Sequence, residues 1–453
     1  MSDQMNKSKI NPKDILFEPL RFRNLTVKNR LMRSNISGRI DNYNGSGSEA
    51  RICWEEKFAR GGAGVLISSH VPINVRGRIL PNYAMIDTDE RIPFWRELGK
   101  RIHQYDCKYI LQISHSGRQQ DMGGIENQGK IALSSTSKSD SFHGFRCKAM
   151  SRKEIREVIK QFAQAARRVK AAGLDGIELH SANGYLFTQF LSSAINDRKD
   201  EYGGNLKNRA RFLLEVVAAV RKEVGNNFHL QAKISAVDYS NDLFFWEKKG
   251  TTLEESIQVC KWLEQSGVDA LHISTGNSFG HPKNPGGDFP MYEAANNYGV
   301  MLPSGIHTSR NMHFFRNPWL QPLFKFLWSR NKPQPIEGFI LPHAKAIKKQ
   351  VHIPVICTGG FQTASVIRKA IEDGSCDAVS MARTLLANPD LPNMFKRGNN
   401  KAPKPCTYCN KCLINVLQHP LGCYDVSRFN GDEKKMMKEV MAFYDEAEKR
   451  SFK

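Results

Sequence analysis

The stretch Arg152–His180, RKEIREVIKQFAQAARRVKAAGLDGIELH, holds the repeat unit of the fold. Its first part sets Ile155, Val158, Ile159, Phe162, Ala165, Ala166 and Val169 at i, i+3, i+4, i+7 spacing, the apolar stripe of a helix over 152–172. Its last part, Gly176–His180, is a short run of strand type. The same alternation extends outward on both sides. Runs at Arg30–Ser34, Gly64–His70 and Tyr109–Ser114 precede it, and His229–Ser235, Ala270–Ser274, Val355–Thr358 and Ala378–Met381 follow. They are short and apolar nearly throughout, as strands covered on both faces should be. Thr252–Gln265 and Thr363–Asp373 supply further helices, each opened by a threonine suited to cap the first turn. Eight strand–helix repeats predict an α/β protein built as a single (β/α)8 TIM barrel over 13–398, rather than an open sheet.

Three segments stand outside the repeat. Residues 13–29 read as an N-terminal hairpin ahead of the first strand. Residues 276–342 form an insertion between strands six and seven, rich in Pro, Gly and aromatics. Residues 399–453 make a C-terminal extension with four cysteines and a last helix carrying Met436, Val440, Phe443, Tyr444 and Ala447 on one face.

Composition narrows the class. With 453 residues, 40% of them hydrophobic, the chain can bury a large core and is not disordered. No run of about eighteen apolar residues is present to span a membrane, and the polar N-terminus lacks the apolar core of a signal peptide. Ten cysteines in a chain this long do not make a secreted disulfide scaffold. A cytoplasmic protein is expected. The formal charge is +21, from 66 Lys and Arg against 45 Asp and Glu. Nucleotide cofactors, acyl-CoA phosphates, nucleic acid and anionic lipid are all attracted to such a surface. The basic residues are spread along the chain and no nucleic-acid-binding motif accompanies them, so no nucleic-acid partner is expected.

In a barrel of this kind the reacting groups sit where strands end at the C-terminal mouth. Strand four runs into His180-Ser181-Ala182-Asn183-Gly184-Tyr185-Leu186-Phe187-Thr188-Gln189-Phe190-Leu191. His180 and Asn183 offer two donors to one carbonyl oxygen, and Tyr185 offers a weak acid. In isolation the same residues read as a satisfied core histidine and a capping asparagine. A G-x-G-x-x-A match at Gly45–Ala50 follows no strand and is set aside as chance.

The segment does not stand alone. Leu16-Phe17-Glu18-Pro19-Leu20 and Leu25-Thr26-Val27-Lys28-Asn29-Arg30 come first, then Ala59-Arg60-Gly61-Gly62-Ala63-Gly64 and Leu111-Gln112-Ile113-Ser114-His115-Ser116-Gly117-Arg118. After it come Asn196-Asp197-Arg198, Tyr202-Gly203-Gly204-Asn205, Asn208-Arg209-Ala210-Arg211-Phe212, Thr358-Gly359-Gly360, Met381-Ala382-Arg383 and Asn388-Pro389-Asp390-Leu391. In this order, over about 15–398, the chain resembles the old yellow enzyme family. The resemblance implies a bound FMN, NAD(P)H as co-substrate, and a small enone or enoyl compound whose C=C bond receives hydride. It makes His180 and Asn183 the clamp on the substrate carbonyl and Tyr185 the proton donor. It places Lys233, where relatives have Arg, beside the flavin edge that gathers negative charge. It sets Gln112 on the pyrimidine edge and Ser37 where relatives have Thr or Cys. Gly359, Gly360, Ala382 and Arg383 become the phosphate cradle.

The cysteines, Cys406-x2-Cys409-x2-Cys412-x10-Cys423, resemble the site where the dienoyl-CoA reductase branch holds a [4Fe–4S] cluster, with the second gap one residue shorter. An iron–sulfur cluster, zinc and a ligand-free remnant all remain open, and no metal is expected. Two alternatives stand beside the ene-reductase. One is a dienoyl-CoA-reductase-like iron–sulfur flavoenzyme. The other is a flavin-binding scaffold tethered to membrane or protein. Residues 314–330, FFRNPWLQPLFKFLWSR, would serve such a tether, wall the substrate pocket, or pack on the barrel's own helices. The oligomeric state stays open.

Overall fold

The computed structural model describes residues 14–36, 38–119, 127, 130–242, 246–278 and 280–451. Eight parallel strands run β1 Leu31–Arg33, β2 Val65–Ile67, β3 Lys108–Ser114, β4 Gly176–Ser181, β5 His229–Ser235, β6 Ala270–Ser274, β7 Val355–Thr358 and β8 Ala378–Met381. Each pairs with the next, and β8 returns to β1 with Val379 opposite Leu31, which closes the barrel. All eight lie where the apolar runs predict them.

Side chains alternate along each strand. In β4, Ile177 and Leu179 face the surrounding helices and join the large core there. Glu178 and His180 point into the barrel. The register puts Glu178 level with Gln112 and Gln231, and Lys233 level with His180 and His272. This corrects the expectation of strands apolar on both faces: above the lowest layer, the inner faces of β3 to β6 are polar. Burial is tolerated because the groups satisfy one another. The Glu178 carboxylate accepts from Gln112 Nε2 at 2.7 Å, Gln231 Nε2 at 2.5 Å and His272 Nδ1 at 2.8 Å, and His272 Nε2 meets Ser380 Oγ at 2.7 Å.

Beneath this layer the barrel is filled by Met32, Val65, Ile67, Ile110, Ala270 and Ile356. The expected hairpin pairs Leu20–Arg21 with Thr26–Val27 and plugs that end with Leu20, Phe22 and Val27. Phe22 rests edge-on against His229 at the start of β5.

The helices begin where short polar side chains meet their first N–H groups. Ser151 and Glu154 form a capping box on Arg152–Ala171, and Thr252 and Glu255 form another on Leu253–Gln265. Thr363 does not cap Ala364–Glu372 as expected, since its hydroxyl donates to Glu337 Oε2 at 2.9 Å. The Gly45–Ala50 match is the turn into the helix Glu49–Arg60, capped by Ser48.

Between β6 and β7 the insertion builds helices Met291–Asn297, Thr308–Arg316 and Gln321–Asn331 around their own core of Phe145, Met291, Tyr298, Met301 and Phe315. The extension ends in the helix Glu433–Ser451, which buries Met436, Val440, Phe443 and Ala447 and ties back through Arg450 Nη1 to Glu56 Oε2 at 2.7 Å. Among the described residues no helix is long and apolar enough to cross a membrane.

Candidate active site at the barrel mouth

The C-terminal ends of the strands open into a cavity of about 330 Å³, a size suited to a small-molecule ligand. The barrel supplies His180, Asn183, Tyr185 and Lys233 to its wall, and the turns after β7 and β8 supply Gly359, Gly360, Ala382 and Arg383. The far side is apolar, built by the insertion with Phe289, Phe315 and Trp328 and by the extension with Leu413. The sequence-predicted residues therefore converge, with two exceptions. Ser37 lies outside the described residues. Gln112 is not on the wall: it sits one layer down with Glu178, and its Oε1 has no partner among the described residues.

Lys233 fixes the chemistry of its neighbours. Its ammonium donates to Asn35 Oδ1. An ammonium only donates, so this contact orients the Asn35 amide and turns Nδ2 toward His180 Nε2, 3.5 Å away. The other ring nitrogen, Nδ1, is buried and finds no partner among the described residues. Burial holds the His180 pKa well below its usual value, aided by the Lys233 charge, so the imidazole is neutral. Burial also pulls Lys233 down to about 8, against the opposing pull of Glu178. Burial would raise Glu178, but His272, Lys233 and Gln231 together keep it below the ordinary carboxylate value. A buried cation thus lies one layer above a buried anion. Sequence reasoning passes over both Asn35 and Glu178. The signal for Glu178 was an acid between Ile177 and Leu179 in a buried strand, whereas nothing marked Asn35.

The turn after β4 aims the remaining groups. Asn183 and Gly184 adopt φ of 60° and 89°, and a Cβ at Gly184 would collide with Asn277 O, so only glycine fits there. Tyr185 follows at the head of the helix Leu186–Leu191, with its ring 4.6 Å from that of His180 and 5.0 Å from that of His70. Asn183 Nδ2 donates to Ser274 Oγ at 3.2 Å, Thr275 O at 3.0 Å and Asn284 Oδ1 at 2.9 Å. Its two amide protons are already engaged within the protein.

On the other side, Gly360 has φ 74°, a Cβ on Gly359 would be in contact with Ile340 at 3.6 Å, and both glycines line the cavity. Arg383 lies 5.6 Å over the Tyr408 ring and donates to Gly286 O at 2.7 Å and to Asn410 Oδ1. An FMN fits this donor set. His180 Nδ1 is an orphaned buried polar atom among the described residues, Lys233 is a buried cation, and the glycine pair beside Arg383 suits a phosphate.

The cysteine segment of the extension adjoins the cavity wall, and its four thiols lie near enough to influence one another's ionisation. Cys406, Cys409, Cys412 and Cys423 are free, and burial raises the thiol of Cys406 to about 11 and those of Cys409 and Cys412 upward. Among the described residues no group of three or more His, Cys, Asp or Glu could hold a metal ion. The segment shapes the cavity, since Tyr408 donates its hydroxyl to Gly360 O and Asn410 accepts from Arg383.

Comparison with known proteins places the fold in a family. Residues 15–288 match the family described as NADH:flavin oxidoreductase / NADH oxidase. A second match, to dihydrouridine synthase, covers only residues 332–453. An NADH oxidase of Thermoanaerobacter brockii is 32% identical over 90% of this chain and 57% of its own length. A cinnamate reductase of Clostridium sporogenes is 27% identical over 89% of this chain and 56% of its own. This chain therefore spans little more than half the length of these relatives. The solved structure of a 2-naphthoyl-CoA reductase shares the fold, with a TM-score of 0.73 at 24% identity, covering 92% of this chain and 58% of that one. With eight closed parallel strands, the converging mouth residues and a family match over more than half its length, the chain belongs to the NADH:flavin oxidoreductase / NADH oxidase family, the old yellow enzymes.

Proposed function

We propose that the chain is an FMN-dependent ene-reductase, which uses NAD(P)H to reduce the C=C bond of an α,β-unsaturated carbonyl compound. The observation that carries this reading is one cavity lined by a neutral His180, Tyr185 packed against it, and the buried cation Lys233. FMN, when bound, supplies the hydride carrier between NAD(P)H and the electrophilic carbon. Lys233 would hold its electron-rich edge, with Gln112 in the layer beneath. Gly359, Gly360, Ala382 and Arg383 would take its phosphate.

The protein's own residues do the rest. His180 donates to the substrate carbonyl oxygen, a bond that strengthens as charge gathers there. Asn183 joins the clamp by releasing one of its three acceptors. Tyr185 gives the proton that the α-carbon needs. The apolar wall of Phe289, Phe315 and Trp328 excludes competing water. The names of two relatives, cinnamate reductase and 2-naphthoyl-CoA reductase, favour unsaturated acid derivatives as substrates. The test is NAD(P)H oxidation by the purified flavoprotein with and without 2-cyclohexenone or a cinnamate derivative. Oxidation dependent on the acceptor, with the saturated product recovered, supports the reading. Flavin-loaded protein that turns over neither acceptor rejects it.

A further inference from the structure

We propose that the outer face of the insertion, centred on Trp319, Leu323, Phe326 and Leu327, docks the protein onto an anionic lipid bilayer. The inference stands on this surface alone and does not depend on the reaction.

The helix Gln321–Asn331 is apolar on two sides. Its inner side is fixed: Trp328 is buried and donates Nε1 to Gly287 O at 2.9 Å, and Phe324 and Trp328 pack on Phe289 with centroids 4.7 and 4.9 Å away. The outer side carries Leu323, Phe326 and Leu327, which are 53%, 56% and 43% exposed, continued by Trp319 at 89%. A surface helix needs one apolar face, and a second one has no partner in this chain among the described residues. Of the ten large hydrophobic residues exposed among the described residues, seven fall between Tyr292 and Leu327, so the patch belongs to the insertion.

Charge selects the occupant. From Ala294 to Ile336 there is no Asp or Glu, while Arg310, Arg316, Lys325, Arg330 and Lys332 lie within the run. The carboxylates bordering it are engaged: Asp288 with Lys332 at 2.6 Å, Glu293 with Lys411 at 3.0 Å, and Glu337 by the N–H groups of Gln362 and Thr363. Arg310, Arg316, Lys325 and Arg330 are exposed. Exposed tryptophan, phenylalanine and leucine ringed by unopposed arginine and lysine match an interface of acyl chains under anionic headgroups. The inner sides of the same helices wall the cavity through Tyr298, Phe315 and Trp328, so docking sets that wall against the bilayer.

The test is co-sedimentation of the purified flavin-loaded chain with phosphatidylcholine vesicles, pure or containing about one-third phosphatidylglycerol. Wild type is expected to bind the anionic vesicles more tightly, with a blue shift of fluorescence that is missing in Trp319→Phe. Two double variants at exposed positions leave the fold intact, as bound flavin and circular dichroism verify. Lys325→Gln/Arg330→Gln should weaken anionic binding about twenty-five-fold, at about fivefold per charge. Leu323→Ser/Phe326→Ser should abolish it. Three results overturn the proposal: no binding to anionic vesicles at any lipid concentration, equal binding by wild type and both variants, or self-association through this face without vesicle binding.

Discussion

Tyr185→Phe isolates the proton donor. The residue is 5% exposed, and its ring lies against His180 and His70. The substitution removes one hydroxyl and keeps the ring, so the fold should lose no more than about 1–1.5 kcal/mol, the usual worth of a hydrogen bond. The chemical effect is larger. A positioned acid contributes about 10²–10⁴ in rate, or roughly 2.7–5.4 kcal/mol of barrier at 1.36 kcal/mol per decade. The apolar wall leaves little room for water to take over the role, so the upper half of that range, about 10³ or more, is expected. Anaerobic stopped-flow separates the two half-reactions. Reduction by NAD(P)H needs no acid and should stay within about twofold of wild type, whereas re-oxidation by an enone should slow by about three orders of magnitude. Re-oxidation by a quinone, which places no proton on carbon, should hardly change. Enone re-oxidation at the wild-type rate in a mutant that keeps its flavin would falsify the assignment of Tyr185.

Four further outcomes follow from the buried groups around it. Lys233 sits near 8, below its ordinary 10.5, so its positive charge is lost as pH rises through about 8. Flavin reduction should slow on that alkaline limb, and Lys233→Arg, whose charge persists, should flatten it; an unchanged limb would show that another group titrates. The same depressed value makes the charged form a burden on the folded state, so thermal stability should rise as pH goes from about 8 to 10.5. Asn183→Ala strips the donor from three acceptors and forces alanine into a φ of 60°, so roughly 2–4 kcal/mol of stability should go in a denaturant titration, and Asn183→Gly should recover about 1 kcal/mol of it. A loss of enone affinity without a loss of stability would mean that the amide is free for substrate. Glu178→Gln turns an acceptor for Gln112, Gln231 and His272 into a partial donor. It should cost about 2–4 kcal/mol and move the Lys233 limb to lower pH, measured by the same titration and pH series.

The barrel was legible because each strand is a short apolar run and each helix an amphipathic stripe, as in Arg152–His180. What the runs hid was the inward polarity of β3 to β6. Glu178, Gln231 and His272 are single polar residues among apolar ones, and only the closed register brings them together. The convergence of His180, Tyr185, Lys233, Gly359, Gly360, Ala382 and Arg383 on one mouth was legible because they fall at or near strand ends. The condition of Asn183 was not, because Asn284, which takes its amide, comes from the insertion a hundred residues later. Asn35 was invisible for a similar reason: its role depends on Lys233 lying across the barrel. The insertion defeated periodicity outright. With aromatics and leucines at most positions of 314–328, no stripe separates the face that packs from the face that remains exposed.

The central claim is that hydride passes from NAD(P)H through this cavity onto an activated C=C bond while the mouth residues manage the proton. The direct measurement follows isotopes through one anaerobic turnover with reduced cofactor deuterated at the transferred position, in ordinary water, using 2-cyclohexenone and cinnamaldehyde as acceptors. The account predicts saturated product carrying deuterium at the β-carbon and hydrogen from solvent at the α-carbon, with Tyr185→Phe lowering the rate but not the labelling pattern. Flavin that is reduced and then re-oxidised only by oxygen or a quinone, leaving both acceptors intact, would contradict it.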